Sequence, residues 1–362
     1  MLSSTKFTPN WASAPGNTVA DLLSERNMSI TSFASKLNTT ADYVNQLIQG
    51  SVAINREISN KLEEILGPPS EFWLSRESHY REAVTRLRAS EEAWLKELPL
   101  KDMISLGWIK ADSKDLVSTC LDYFNVQNVT AWRNKYHVEL SMVNFRTSSS
   151  FSPKSGAVAA WIRQCEIRSE SIVCQPWDRK LFRLTLKEIK ELTKIKDPNV
   201  FIPKLIDLCA KCGVAVAIAR TPPGCQASGA TKFISNDRPL LMLSFRYLTD
   251  DHFWFTFFHE AGHLLLHDKR AIFLEGENKN GVVTKEESEA NEFAANELIS
   301  KELIPQMMKV SAANKKAVVG FAMLAGVSPG IVIGQLQHYG RISHAKFNGY
   351  KRRFSWENIE IL

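Results

Sequence analysis

The chain has 362 residues, 44% hydrophobic and 23% charged, and carries a formal net charge of +6. That length allows two or three domains with sizeable cores, and the composition is that of an ordinary soluble protein. No apolar run approaches membrane-spanning length, the start lacks the basic patch and apolar run of a secretory signal, and six scattered cysteines suit reduced thiols, so we expect a cytoplasmic protein without a membrane partner.

Taken in chain order, Thr18 to Arg26 and Ile30 to Leu37 show helical patterning. Asn38-Thr39-Thr40 reads as a turn, because asparagine enters the left-handed conformation at low cost. Ala41 to Gln49 follows as a third helix with Val44, Leu47 and Ile48 facing inward, and Gly50 ends it. Small Ala34, the short turn and a third helix with a separate polar face describe a helix-turn-helix. The stretch Val19 to Leu66 is similar to the Xre/Cro family and to HigA-type antitoxins. That resemblance implies a DNA partner, with Thr40, Tyr43, Asn45 and Gln46 offered to the major groove, where Asn or Gln can bond an adenine edge twice. Charge helps little, since residues 1 to 66 hold five basic side chains against six acidic ones, and phosphate neutralisation supplies most nonspecific affinity. A homodimer, or the tail from 301 to 362 with its nine Lys or Arg and three Glu, would compensate.

Gly67-Pro68-Pro69 closes a first domain at 1–70. Glu71 to Ile109 has helical periodicity amid dense charge, and further helices are expected over Ala157 to Glu166 and Leu186 to Lys194, so residues 71–200 read as a helical connector. Arg146 to Pro153 reads as a surface loop whose serines have no identifiable partner base. Cys209 and Cys212 lie in the helical pattern Phe201 to Cys212, without a second such pair, and read as helix packing. From Gly213 the period changes, and Val214 to Ile218, Ala230 to Ile234 and Leu240 to Ser244 read as short strands.

Phe253 to His267 contains His259, Glu260 and His263 as HExxH. Residues four apart share one helix face, so the two imidazoles can meet a single tetrahedral Zn²⁺, while Glu260 can take a proton from an attacking water and pass it to the leaving group. The flanking residues are apolar on all sides. A buried helix would strand three polar groups, and a metal satisfies them economically. A catalytic zinc needs a third protein ligand. His267, about 12 Å along the axis from His259, reads as a cap or an outer support. The better source is Lys285 to Leu298, where periodicity places Glu286 and Glu287 beside the apolar side and Glu289 away from it, without choosing between the first two.

HEAGHLLLH followed by EESEANEFAANELI resembles the ImmA/IrrE family of zinc metallopeptidases, over about Leu205 to Phe354. The resemblance implies zinc ligands His259, His263 and Glu287, general base Glu260, and Asn291 orienting an imidazole from outside the ligand set. It also implies that the substrate is a regulatory, repressor-like protein. One departure is Leu298-Ile299-Ser300 where many relatives have Leu-Met-Pro, which bears on helix termination. One of the last two strands is expected to pair with an extended substrate. Tyr339, His338 and His344 are candidate donors to a developing oxyanion.

The expected fold class is mainly α with a small β-sheet: a helix-turn-helix bundle, a helical connector, and a zincin-like metallopeptidase domain at 201–362. The expected function is a zinc metallo-endopeptidase fused to a DNA reader. The alternative is a HigA-type transcriptional regulator or antitoxin whose zincin-like half is a sensor with little proteolytic activity. The intact Glu260 opposes it, because a binding-only site needs no base.

Overall fold

A computed structural model describes residues 12–111, 115–142, 153–267, 273–275 and 284–359. Most of the expected serine loop, 146–152, lies outside the described residues. The fold is mainly α with one small sheet, as the patterning anticipates, and the chain divides into two compact units between Leu95 and Lys96.

The first unit holds α1 (Pro15–Glu25), α2 (Ile30–Leu37), α3 (Ala41–Ile48), α4 (Arg56–Leu66) and nearly all of α5 (Ser70–Glu97). Each short helix has a local reason to start or stop. Ser29, Thr40 and Asn55 cap α2, α3 and α4 by accepting backbone N–H bonds, and Asn38 ends α2 in the left-handed conformation at φ 54°. Arg26 donates to the Ile65 and Leu66 carbonyls at 2.7 Å, satisfying the end of α4. Val19, Phe33, Leu37, Val44, Leu47, Leu62 and Trp73 share one core. The helix expected to run on to Ile109 stops at Glu97. Pro99 cannot continue it, and α6 (Leu100–Ser105) begins anew.

The second unit continues with α7 (Leu116–Phe124), α8 (Val129–Met142), α9 (Pro153–Glu170), α10 (Arg179–Leu192) and α11 (Pro198–Lys211). Then come β1 (Ala215–Ile218), β2 (Gly229–Ser235), β3 (Arg238–Leu243), α12 (Asp250–Leu266), β4 (Phe273–Glu275) and α13 (Lys285–Leu298), followed by α14 (Ile304–Met307), α15 (Lys315–Ala325) and α16 (Pro329–His338). The sheet order is β1-β3-β2-β4, with β1 and β3 parallel and β2 antiparallel to both neighbours.

Strand alternation sends Val216, Ile218, Leu241 and Leu243 into the core that α12 fills with Phe253, Trp254, Phe257 and Phe258. The opposite face carries Lys232, whose ammonium lies 2.6 Å from Glu166 on α9. Trp161 on α9 also donates to the Ala219 carbonyl at 2.9 Å. Helix α9 therefore belongs to the sheet's own core. A connector reaching to residue 200 is not a separate compact unit: its first part groups with the first unit and its remainder with the sheet.

The last described segment is pinned to the start of α12. Buried Asp250 accepts from the Ser328 hydroxyl at 2.7 Å and the Arg352 N–H at 2.9 Å, and buried Asp251 pairs with Lys351 at 2.7 Å. Arg352 donates further to the Thr193, Lys194 and Ile195 carbonyls. Lys351 and Arg352 thus spend their charge inside the unit, which subtracts them from any phosphate-binding tail. Cys209 and Cys212 are buried on the last turn of α11, with the Cys212 thiol against Thr185, in line with helix packing. Among the described residues no single helix is long and apolar enough to cross a membrane.

Candidate metal centre

Helix α12 is apolar on nearly all sides and buried from Asp250 to Leu265 apart from His252 and Phe255, so its polar residues lie in the protein interior. His259, Glu260 and His263 are 1%, 0% and 2% exposed. The helix can lie close to α13 because residue 262 is glycine: a Cβ there would meet the Phe293 ring at 3.1 Å and Ala290 Cα at 3.3 Å. Helix α13 begins with Thr284 accepting the Glu287 N–H at 3.3 Å. In a Thr-x-x-Glu start the glutamate ordinarily reaches back to the capping residue. Here the Glu287 carboxylate faces the imidazoles of α12.

Three ligand side chains converge. Nε2 of His259 and Nε2 of His263 are 3.0 Å apart, and Glu287 places its two oxygens 3.3 Å from the first and 3.5 Å from the second. A tetrahedral zinc with bonds of about 2.0–2.1 Å requires donor separations of about 3.3–3.4 Å, which these edges bracket. The outer ring nitrogens are also occupied. Asn291 Oδ1 lies 3.0 Å from His259 Nδ1, and His267 Nδ1 lies 2.9 Å from His263 Nδ1. An amide oxygen only accepts, so His259 carries its proton on Nδ1 and turns a lone pair inward.

The protonation states suit ligation. Burial pushes His263 down to about 4, leaving its imidazole neutral near pH 7. Burial works to raise Glu287, but the facing rings of His259 and His263 overcome it and hold the carboxyl near 2. The neutral ring of His263, the inward lone pair of His259 and the ionised Glu287, facing one another within 4.8 Å, form a group of acceptors that a divalent cation would bring together. The residues present therefore fit zinc.

Glu260 packs under β2. A Cβ at Gly229 would stand 2.6 Å from Thr256 Cγ2 and 2.8 Å from Glu260 Oε1, so glycine there makes room for the carboxylate. Periodicity does not choose between Glu286 and Glu287; the fold brings Glu287 to the imidazoles. Asn291 meets His259, and His267 supports His263 from outside the triad. Glu289, expected to point away, instead reaches His267 at 3.1 Å. Missed altogether were Gly229 and Gly262, whose value lies in contacts between elements distant in sequence.

One expectation is corrected. Strand β3 is paired on both sides and β2 is covered by β4 over Gly229–Thr231, so neither offers a free ladder beside Gly229. Among the described residues the outer strand on that side is β4, too short for alternation to reveal. His338 lies against Phe255, ring centroids 6.5 Å apart, and Phe255 against His259 at 6.3 Å, while exposed Tyr339 adjoins His338 and the His344 carbonyl accepts from Gln337. In the first unit Asn45 and Gln46 are exposed, but Thr40 is engaged as a helix cap and half-buried Tyr43 packs against the core.

Comparison with known proteins adds a class to this geometry. Residues 216–332 match the family model described as Peptidase_M78, IrrE N-terminal-like domain. That span runs from β1 into α16, holds all three converging residues and Glu260, and is narrower than the stretch of resemblance read from the sequence. The match supports the ImmA/IrrE resemblance for that part of the chain. No curated protein matches the chain. Among solved structures, one described as a candidate antidote protein of a plasmid maintenance system from Nostoc punctiforme PCC 73102 is 23% identical, covering 22% of this chain and 88% of its own, with a TM-score of 0.21.

Proposed function

We propose that the second unit is a zinc-dependent endopeptidase that cuts a regulatory, repressor-like protein, and that the first unit brings it to DNA through α2 and α3 as a helix-turn-helix. The observation that carries the enzymatic reading is the convergence of His259, His263 and Glu287 beside the fully buried Glu260. His259, His263 and Glu287 would hold the metal. Bound there, zinc would supply Lewis acidity towards a carbonyl and a water near neutral pH. Glu260 accepts one proton from the attacking water as its oxygen bonds to the peptide carbonyl carbon. The same carboxyl then donates that proton to the departing amine nitrogen as the C–N bond breaks. Asn291 holds the His259 ring in the orientation this arrangement needs.

DNA reading rests on the exposed Asn45 and Gln46 of α3, and a cytoplasmic setting follows from a substrate bound to DNA. Joining reader to peptidase raises the local concentration of enzyme near a repressor on the same DNA. The weak charge balance of residues 1 to 66 favours a homodimer on DNA over a single copy.

The deciding experiment compares wild type with Glu260→Gln, both first shown to hold one zinc, against candidate repressors. Cleavage by wild type alone supports the enzyme. Silence from both selects the alternative, a HigA-type regulator whose zincin-like half senses a metal or ligand.

A further inference from the structure

The two imidazoles of the candidate metal centre receive unequal support. His259 has a neutral amide on its outer nitrogen, whereas His263 has a second imidazole backed by a carboxylate: Nδ1 to Nδ1 of His267 at 2.9 Å, then Nε2 of His267 to Glu289 Oε2 at 3.1 Å. The His267 side chain is 6% exposed. Nε2 of His263 faces His259 and Glu287, and ligation through that nitrogen needs a lone pair there, which puts the ring proton on Nδ1. Nδ1 of His267 then accepts the first bond, and the N–H that His267 carries on Nε2 points at Glu289. A glutamate two hydrogen bonds away thereby favours the tautomer of His263 that ligation needs. Both nitrogens of His267 are committed, which excludes it from ligation in this arrangement.

We propose that His267 and Glu289 are a positioning pair that locks His263 in its metal-competent tautomer. The pair deepens the zinc reading and rests on it. The physical ground is that the partner of a ligand's outer ring nitrogen fixes both the tautomer and the orientation of the ring, and that a carboxylate closing such a chain makes it firmer. In HEAGHLLLH the first four-residue step supplies the ligands and the second supplies the support, while α13 contributes Glu287 to the inside and Glu289 to the outside of the same cluster.

The test uses the full chain and two measurements. Zinc affinity is read by competition with a chromophoric chelator for wild type, Glu289→Ala, His267→Ala and the double variant. Each single change should weaken zinc about 10–100-fold. Because Glu289 acts only through His267, the double variant should lose no more than His267→Ala alone. Nitrogen-15 NMR of the His263 ring in the zinc-free protein should show Nδ1 protonated in wild type and a mixed population in Glu289→Ala. A merely structural role for Glu289 would leave that signal unmoved. The Glu289 side chain is 43% exposed, so its variant should fold even where His267→Ala does not. Wild-type affinity within twofold and an unchanged His263 signal in Glu289→Ala overturn the proposal, as do losses that multiply in the double variant. A wild type that takes up no zinc overturns the metal reading instead, and the zinc-free NMR signal still decides the pair.

Discussion

On α3 the side chains of Asn45 and Gln46 stand in solvent while Thr40 and Tyr43 serve the helix and its core; on α12 the polar residues are buried and meet partners from a second helix. The contrast matters because solvent accommodates an exposed amide at little cost, whereas burial charges each polar group several kcal/mol unless a partner is found, on the order of 2–7 kcal/mol for an uncompensated neutral group. Two exposed amides on a helix face therefore say little about what they bind. Three donors within reach of one point, two of them buried, say a great deal.

The comparison breaks first at Glu260. Glu260→Gln should lower peptide hydrolysis about 10³-fold while leaving zinc content at one per chain, read by turnover and metal analysis side by side. Retained turnover in that variant would place the chemistry elsewhere.

Burial itself is tested next at the ion pair on the far face of the sheet. Glu166→Gln removes the negative charge facing Lys232, which is 7% exposed, and should cost about 3–5 kcal/mol in chemical denaturation. Burial acts to raise the Glu166 carboxyl, but Lys232, Lys135 and Arg163 hold it below its usual 4.5. The folded state therefore binds that proton less readily than the unfolded one. The stability it contributes should be present above about pH 4.5 and fade as pH falls through the lower folded value, a slope that Glu166→Gln removes.

Asn291→Ala sharpens the contrast on a smaller scale. It should weaken zinc about 10-fold by chelator competition, because it frees the His259 ring without removing a ligand. In the first unit, Asn45→Ala and Gln46→Ala should each leave folding stability within about 0.5 kcal/mol and cost about 1–3 kcal/mol of specific DNA affinity. Thr40→Ala should instead cost about 1 kcal/mol of stability through the lost cap. Unchanged operator affinity in both amide variants would remove the assigned DNA face from α3.

Much of the fold was legible from local pattern. The three strands were found within a residue or two, and α2, α3 and the Asn38 turn follow from capping chemistry confined to a few positions. Less legible was anything that depends on what faces what. β4 has three residues, too few for alternation to register, and its absence from the reading misassigned the sheet edge. Helix α9 looked like connector because its role is to cover a sheet about fifty residues further along the chain.

The amino-acid sequence by itself determined the pair of imidazoles and the base between them, because an α-helix repeats every 3.6 residues and four-residue spacing needs no other part of the chain. Tertiary structure decided which acidic side chain on α13 completes the group, that Glu289 supports it through His267, and that glycines at 229 and 262 let the elements close up. Those outcomes depend on the rotation and separation of two helices and a strand, which are set by the packing of Phe257, Phe258, Ala290 and Phe293 across more than thirty intervening residues.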